Sequence, residues 1–148
     1  MKFYSTKTYG HERGLSCAFR QPNAYHSHCS LIHGYALAFK FTFAADELDN
    51  KNWVQDFGGL KELKDWLEDN FDHTLAADSN DPQLAHLEDI ESKGLVRLKV
   101  MNGVGCEMFA KHAFEFADNL VRTQSDNRVK VVQVEVMEHG ANSAICRA

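Results

Sequence analysis

From His33 to Phe43 the odd positions read His33, Tyr35, Leu37, Phe39, Phe41 and Phe43, and the even ones Gly34, Ala36, Ala38, Lys40 and Thr42. Period two predicts a strand, with a histidine and a tyrosine on the same face as an aromatic stripe. Residues 2–9, rich in Tyr, Thr and Phe, form a second β-prone run, broken by the polar cluster Gly10-His11-Glu12-Arg13-Gly14. Residues 15–20 resume the strand pattern until Pro22 and Asn23 stop it.

After Gly58-Gly59 the period changes to that of a helix, with Leu60, Leu63 and Leu67 on one side and Lys61, Lys64, Asp65 and Glu68 mainly on the other. A short helix carrying Leu84, Leu87 and Ile90 follows Pro82, with Asp81 or Asn80 as its cap. Residues 95–100 are apolar enough for a short strand. A second long helix is predicted over 104–122, burying Cys106, Phe109, Ala110, Ala113, Ala117, Leu120 and Val121. At the end Val132, Val134, Val136 and Glu138 form one row of a strand that returns over 143–147. A carboxylate closing an apolar row is costly unless something pairs with it. The order is ββ, α, a helical insertion with a possible strand, α, ββ, which predicts an α+β domain with an antiparallel sheet backed by helices.

Composition narrows the function classes. The chain of 148 residues, 44% hydrophobic, is long enough for one domain with its own core. Its net charge of −5 argues against a general binder of nucleic acid or of a membrane surface, so an anionic ligand needs a local basic pocket. No segment has the apolar length of a membrane span or the apolar core of a signal peptide, so the default location is cytoplasmic. Cys17, Cys29, Cys106 and Cys146 are scattered without paired spacing, and free thiols are the simpler reading.

The densest chemistry is the run from Tyr25 to Tyr35, which holds His26, His28, Cys29 and His33 just before the aromatic strand. Imidazoles and a thiol so placed could hold a divalent metal or serve as acid and base. Cys106 and Cys17 fit the core. Asp56 reads as a cap of the helix that follows it. His86 and His112 lie on amphipathic helices, His11 in a turn, and Gly58-Gly59 lacks the context of a phosphate loop.

Taken in order, Cys29-Ser30-Leu31-Ile32-His33-Gly34, Asp56-Phe57 before a helix, Asp72-His73 after it, Glu107 early in the second helix and Glu138 ending a valine-rich strand resemble the 6-pyruvoyltetrahydropterin synthase and 6-carboxytetrahydropterin synthase family. The resemblance spans nearly the whole chain. It implies the tunnelling fold, ββααββ, with a four-stranded antiparallel sheet, helices packed on one face, and active sites between subunits. It also implies a homohexamer built as a dimer of trimers, a zinc ion, and 7,8-dihydroneopterin triphosphate as substrate. One branch expels triphosphate to give the pyruvoyl pterin. The other also breaks a carbon–carbon bond to give 6-carboxytetrahydropterin and acetaldehyde, a step toward queuosine-type deazapurines.

On this resemblance Cys29 is the general base, His73 oriented by Asp72 relays protons, and Glu138, with Glu107 nearby, grips the pterin by accepting from a ring N–H and the exocyclic amine. Arg20 and Lys51 are candidates for phosphate contacts. The metal ligands depart from the family pattern, which takes one histidine from the first hairpin and two from His-Gly-His, where this chain has Phe19 and His33-Gly34-Tyr35. Three readings stay open. His28, His33 and His26 hold zinc from a rearranged loop; or no tight metal is bound and Cys29, His73 and Tyr35 act alone; or the site shifts to include Cys17 or Cys29.

Overall fold

The computed structural model describes residues 1–148. Strand β1 (Phe3–Tyr9) and strand β2 (Leu15–Phe19) are nearly collinear, separated by the 3-10 turn His11–Arg13. Both pair antiparallel with strand β3 (His33–Ala45), β1 along its second half and β2 along its first. Helix α1 (Lys61–Phe71) leads to strand β4 (Thr74–Asp78), helix α2 (Leu84–Ser92) to strand β5 (Leu98–Met101), and helix α3 (Cys106–Ser125) to the hairpin of β6 (Lys130–His139) and β7 (Asn142–Arg147).

The aromatic stripe forms as its period predicts. Leu37, Phe39, Phe41 and Phe43 are fully buried, and Phe41 stacks between Phe39 and Phe43 at 6.5 and 6.4 Å. Facing it are Leu63, Leu67 and Phe71 of α1 and Phe109, Ala110, Ala113, Ala117 and Val121 of α3, all in one core. Each such phenylalanine contributes about 1.5–3 kcal/mol relative to an exposed ring. No helix is long and apolar enough to cross a membrane.

Two expectations about the sheet need correction. The sheet has seven strands and is mixed, because β4 joins β2 in parallel and β5 joins β4 in parallel, where four antiparallel strands were expected. The antiparallel run β1-β3-β6-β7 is only part of it. The helices also occupy both faces. Ala76 of β4 belongs to the main core, whereas Leu75 and Ala77 point the other way and pack with Leu87 of α2.

Four consecutive buried residues, Thr74 to Ala77, leave no alternation by which β4 could be read, as is usual where a parallel strand is covered on both sides. Helix α3 starts at Cys106 because Gly105 has φ 104° and ψ 163°, a backbone conformation reserved for glycine. A Cβ there would also lie 2.3 Å from Nε2 of Gln21. The valine row is interrupted. Thr42 pairs with Gln133 but Phe43 with Val131, so Val132 is the extra residue of a bulge and the buried set is Val129, Val131, Val134 and Val136.

Candidate functional site

The Cys29 turn is fixed from beneath. His28–Ser30 form one 3-10 turn, and the hydroxyl oxygen of Ser27 accepts from the Cys29 N–H at 3.2 Å. The Gln21 N–H donates to the Cys29 carbonyl at 2.7 Å, and Nη1 of Arg20 donates to the Ser30 carbonyl at 3.1 Å. The guanidinium also donates to both carboxylate oxygens of Asp81 at 2.9 and 3.3 Å, and that carboxylate is wholly buried. The amide of Gln21 donates to the Val104 carbonyl at 2.7 Å, tying the turn to the start of α3. Cys29 itself is exposed.

Arg20 therefore braces the loop, with three of its donors engaged on Asp81 and Ser30. Asp81 accepts from the Gln83 N–H at 2.8 Å, so it also shapes the approach to α2. The first helical residue there is preceded by Gln83 without a side-chain cap, in place of the expected Asp81 or Asn80. Lys51 lies 5.2 Å over the ring of Trp53 on an exposed loop.

Strands β2 and β3 converge beside this turn. Gly34 faces Ala18, and a Cβ on Gly34 would stand 2.9 Å from the Cys17 carbonyl oxygen, so only glycine allows the approach. Phe19 pairs with His33 in register, their rings 5.2 Å apart. Nδ1 of His33 lies 2.7 Å from the Leu31 carbonyl, an acceptor only, so Nδ1 carries the proton and Nε2 is left as acceptor. Tyr35 meets His33 edge-on at 5.5 Å and lies 6.2 Å from His139.

Glu138 keeps the parity of Val134 and Val136, and a second register break between Met137 and His139 places it at the bulge that ends β6. It faces the start of α3. Burial first, then the charge and hydrogen bonding of Glu138, push the Cys106 thiol up to about 12, so it stays protonated beside the carboxylate. Burial first, then the charge of Glu138 and the proximity of Cys29 and Cys106, also raise Tyr35 above the ordinary phenol range. Tyr35 thus feels the charges of Cys29, Cys106 and Glu138, and exposed Glu107 acts on Cys106 from the next position of α3. The uncapped first turn of α3 lends its positive end to this acidic group.

Asp72 and His73 form a separate pair. His73 has φ 55°, its side chain is 86% exposed, and its Nδ1 lies 2.6 Å from a carboxylate oxygen of Asp72. Arg97 staples the turn by donating to the Glu68 and Asp72 carbonyls at 3.0 and 2.7 Å. Asp72 lines a cleft with Tyr9, Glu12, Arg13 and Lys64, apart from the Cys29 group. A concavity of about 510 Å³ lies elsewhere again, between β1 and the segment of Trp53 and Phe57.

Of the three readings of the metal, the one that gathers His26, His28 and His33 finds no support in the side-chain positions. No three His, Cys, Asp or Glu side chains come together as a ligand set, so His26, His28 and His33 do not form one. Tyr25 and His26 pack on each other at 6.2 Å, and His26 and His28 are exposed. The positions that face His33 hold Phe19, which has no donor atom, and Tyr35, a poor ligand. The residues present do not fit a zinc ion. Cys106, read from the sequence as core alone, is buried as expected but also belongs to the site; its place next to Glu107 at the start of α3 was the available signal.

The family model described as 6-pyruvoyl tetrahydropterin synthase matches residues 10–148. The chain belongs to that family. A 6-carboxy-5,6,7,8-tetrahydropterin synthase of Aquifex aeolicus is 28% identical over 120 residues, 78% of this chain and 74% of the relative. The synthase of the same name from Rickettsia bellii is 37% identical over 57 residues, and the match spans 41% of that relative's length and 38% of this chain. An uncharacterised protein of Wolinella succinogenes superposes with a TM-score of 0.79 at 18% identity, covering 99% of this chain and 98% of the other. The Plasmodium falciparum 6-pyruvoyl tetrahydropterin synthase does so with a TM-score of 0.69 at 12% identity, covering 99% and 98%. At these identities the structural likeness establishes the family's fold alone.

Proposed function

We propose that this chain is a pterin-binding lyase acting on 7,8-dihydroneopterin triphosphate to give 6-carboxytetrahydropterin with release of acetaldehyde and triphosphate. The observation that carries the reading is that the end of β6 meets Tyr35, with His139 at 6.2 Å and the Glu138 charge acting on the phenol, while Cys29 acts on the same phenol from its loop. One carboxylate can accept from two adjacent N–H groups of a pterin, and that pair would compensate a charge otherwise poorly matched at the end of an apolar row. Cys29 then faces the side chain of the bound pterin as general base. The names of the Aquifex and Rickettsia bellii relatives favour the carboxy branch.

In this reading His73 reaches the ligand from a second protomer, its Nδ1–H held by Asp72 and its Nε2 free to take or return a proton. Oligomer formation is supported by the unpaired outer edges of β1 and β7 at opposite ends of the antiparallel run. A hexamer made from two trimers and a cytoplasmic location belong to the same reading. The test is to supply dihydroneopterin triphosphate to purified protein and measure acetaldehyde and triphosphate, with Cys29→Ala as control. Acetaldehyde lost in that variant is the expected result; triphosphate alone would point to the pyruvoyl branch. A second reading, a pterin-binding protein without turnover, is favoured by the poor fit of the residues to zinc and by the engagement of Arg20 with Asp81. Binding of the pterin with neither product would establish it.

A further inference from the structure

We infer that the zinc implied by family membership has no site in this chain, and that the Tyr35 hydroxyl, standing where an imidazole ligand would stand, donates a hydrogen bond to the bound ligand instead. The second half rests on the reading of this pocket as a pterin site; the first does not.

A zinc site needs three or four N, S or O donors at about 2.0–2.3 Å. His33 has one ring nitrogen to offer, since the other is committed to the Leu31 carbonyl at 2.7 Å. Its partner across the strands, Phe19, is 2% exposed and packs edge-on against Phe109 at 5.1 Å, so it cannot swing aside to admit another donor without opening the core. Cys29 and Glu138 lie near Tyr35, yet with His33 they make no group of three able to close on an ion. The failure is in the donor set itself.

The same packing gives the phenol a defined direction. The Tyr35 ring is held by His33 edge-on at 5.5 Å, by Phe19 at 6.2 Å and by His139 at 6.2 Å. Its surroundings act through burial and charge, and no hydrogen bond from the chain reaches its hydroxyl. A neutral phenol both donates and accepts, and beside the Glu138 carboxylate its proton is free for an oxygen or nitrogen of the ligand. Where a metal would polarise a ligand oxygen as a point charge, this group offers one directed donor.

The test measures zinc and ligand binding separately. Full-length protein made with added zinc and dialysed is assayed for metal by elemental analysis, and its melting is followed with zinc and with EDTA. Well under one zinc per chain, with melting indifferent to both additions, is expected of the natural chain; the double substitution Phe19→His with Tyr35→His restores three imidazoles and is expected to take up about one zinc per chain. One zinc per natural chain, lost in His33→Ala, would overturn the inference whether or not the double variant folds. Binding of neopterin, followed by its fluorescence, is expected to weaken about three- to tenfold in Tyr35→Phe, the net value of one hydrogen bond. Undiminished binding in Tyr35→Phe would remove the phenol's part. Failure of the natural chain to bind neopterin would instead end the pterin reading and the phenol's part with it, while the zinc count decides the first half in either case.

Discussion

The turn that carries Cys29 and the turn that carries His73 each present an exposed reactive side chain on a fixed backbone, by opposite means. Beneath Cys29 the fixing groups are inside: Asp81 is fully buried, and Arg20 keeps only 21% exposure. Beneath His73 they are outside, since Arg97 and its partner Asp69 retain 46% and 60%. His73 also takes up positive φ, which histidine tolerates better than most residues but not freely. The Cys29 turn is thereby tied to the stability of the whole domain, whereas the His73 turn can be altered with little effect on folding.

Asp81→Ala leaves the Arg20 guanidinium half-buried without its partner, and a loss of about 2–4 kcal/mol is expected, below the range for fully buried pairs because Arg20 stays partly wetted. Urea unfolding measures it, and a loss under about 0.5 kcal/mol would put the Cys29 turn on the same footing as the other. Arg97→Ala should lose only about 1 kcal/mol, less at high salt, because its ion pair is exposed and its main contribution is to two carbonyls at the end of α1. His73→Gly relieves the left-handed backbone and should be neutral to about 1 kcal/mol stabilising, while removing the imidazole proposed to relay protons. A destabilised His73→Gly would show that the side chain holds the turn together.

The thiols of the site differ from one another as well. Cys106 is raised in the folded state relative to its ordinary 9.0, so the folded chain binds the proton more tightly than the unfolded one. Its contribution to stability is full below pH 9 and is lost as pH rises toward about 12. At pH 8 iodoacetamide should modify exposed Cys29 and leave Cys106 untouched, as mass spectrometry of the labelled peptides would report. Labelling of both at similar rates would mean that the start of α3 opens readily.

What the sequence made legible was what repeats locally. The aromatic row of β3, the leucines of α1 and the alanine-rich face of α3 carry their own periods, and all three formed. Strand β4 was hidden because its partners are remote and both its faces are covered. The bulge at Val132 was hidden because an extra residue in a valine run changes no residue type, so the expected row was right only from Val134 onward. In the site, Cys29 and Glu138 were readable as residue types. Asp81, read as a helix cap, proved to be the anchor of Arg20, a pairing between distant loops that no local pattern encodes. His26 and His28 misled for the opposite reason, since closeness along the chain gave them no common direction.

The most direct test of the convergence of Cys29 and Glu138 is the rate at which Cys29 is alkylated with and without saturating neopterin. The expected result is strong protection of the thiol by the pterin in the natural chain and none in Glu138→Ala at the same ligand concentration. Alkylation of Cys29 at one rate throughout, with neopterin demonstrably bound, would contradict a shared site.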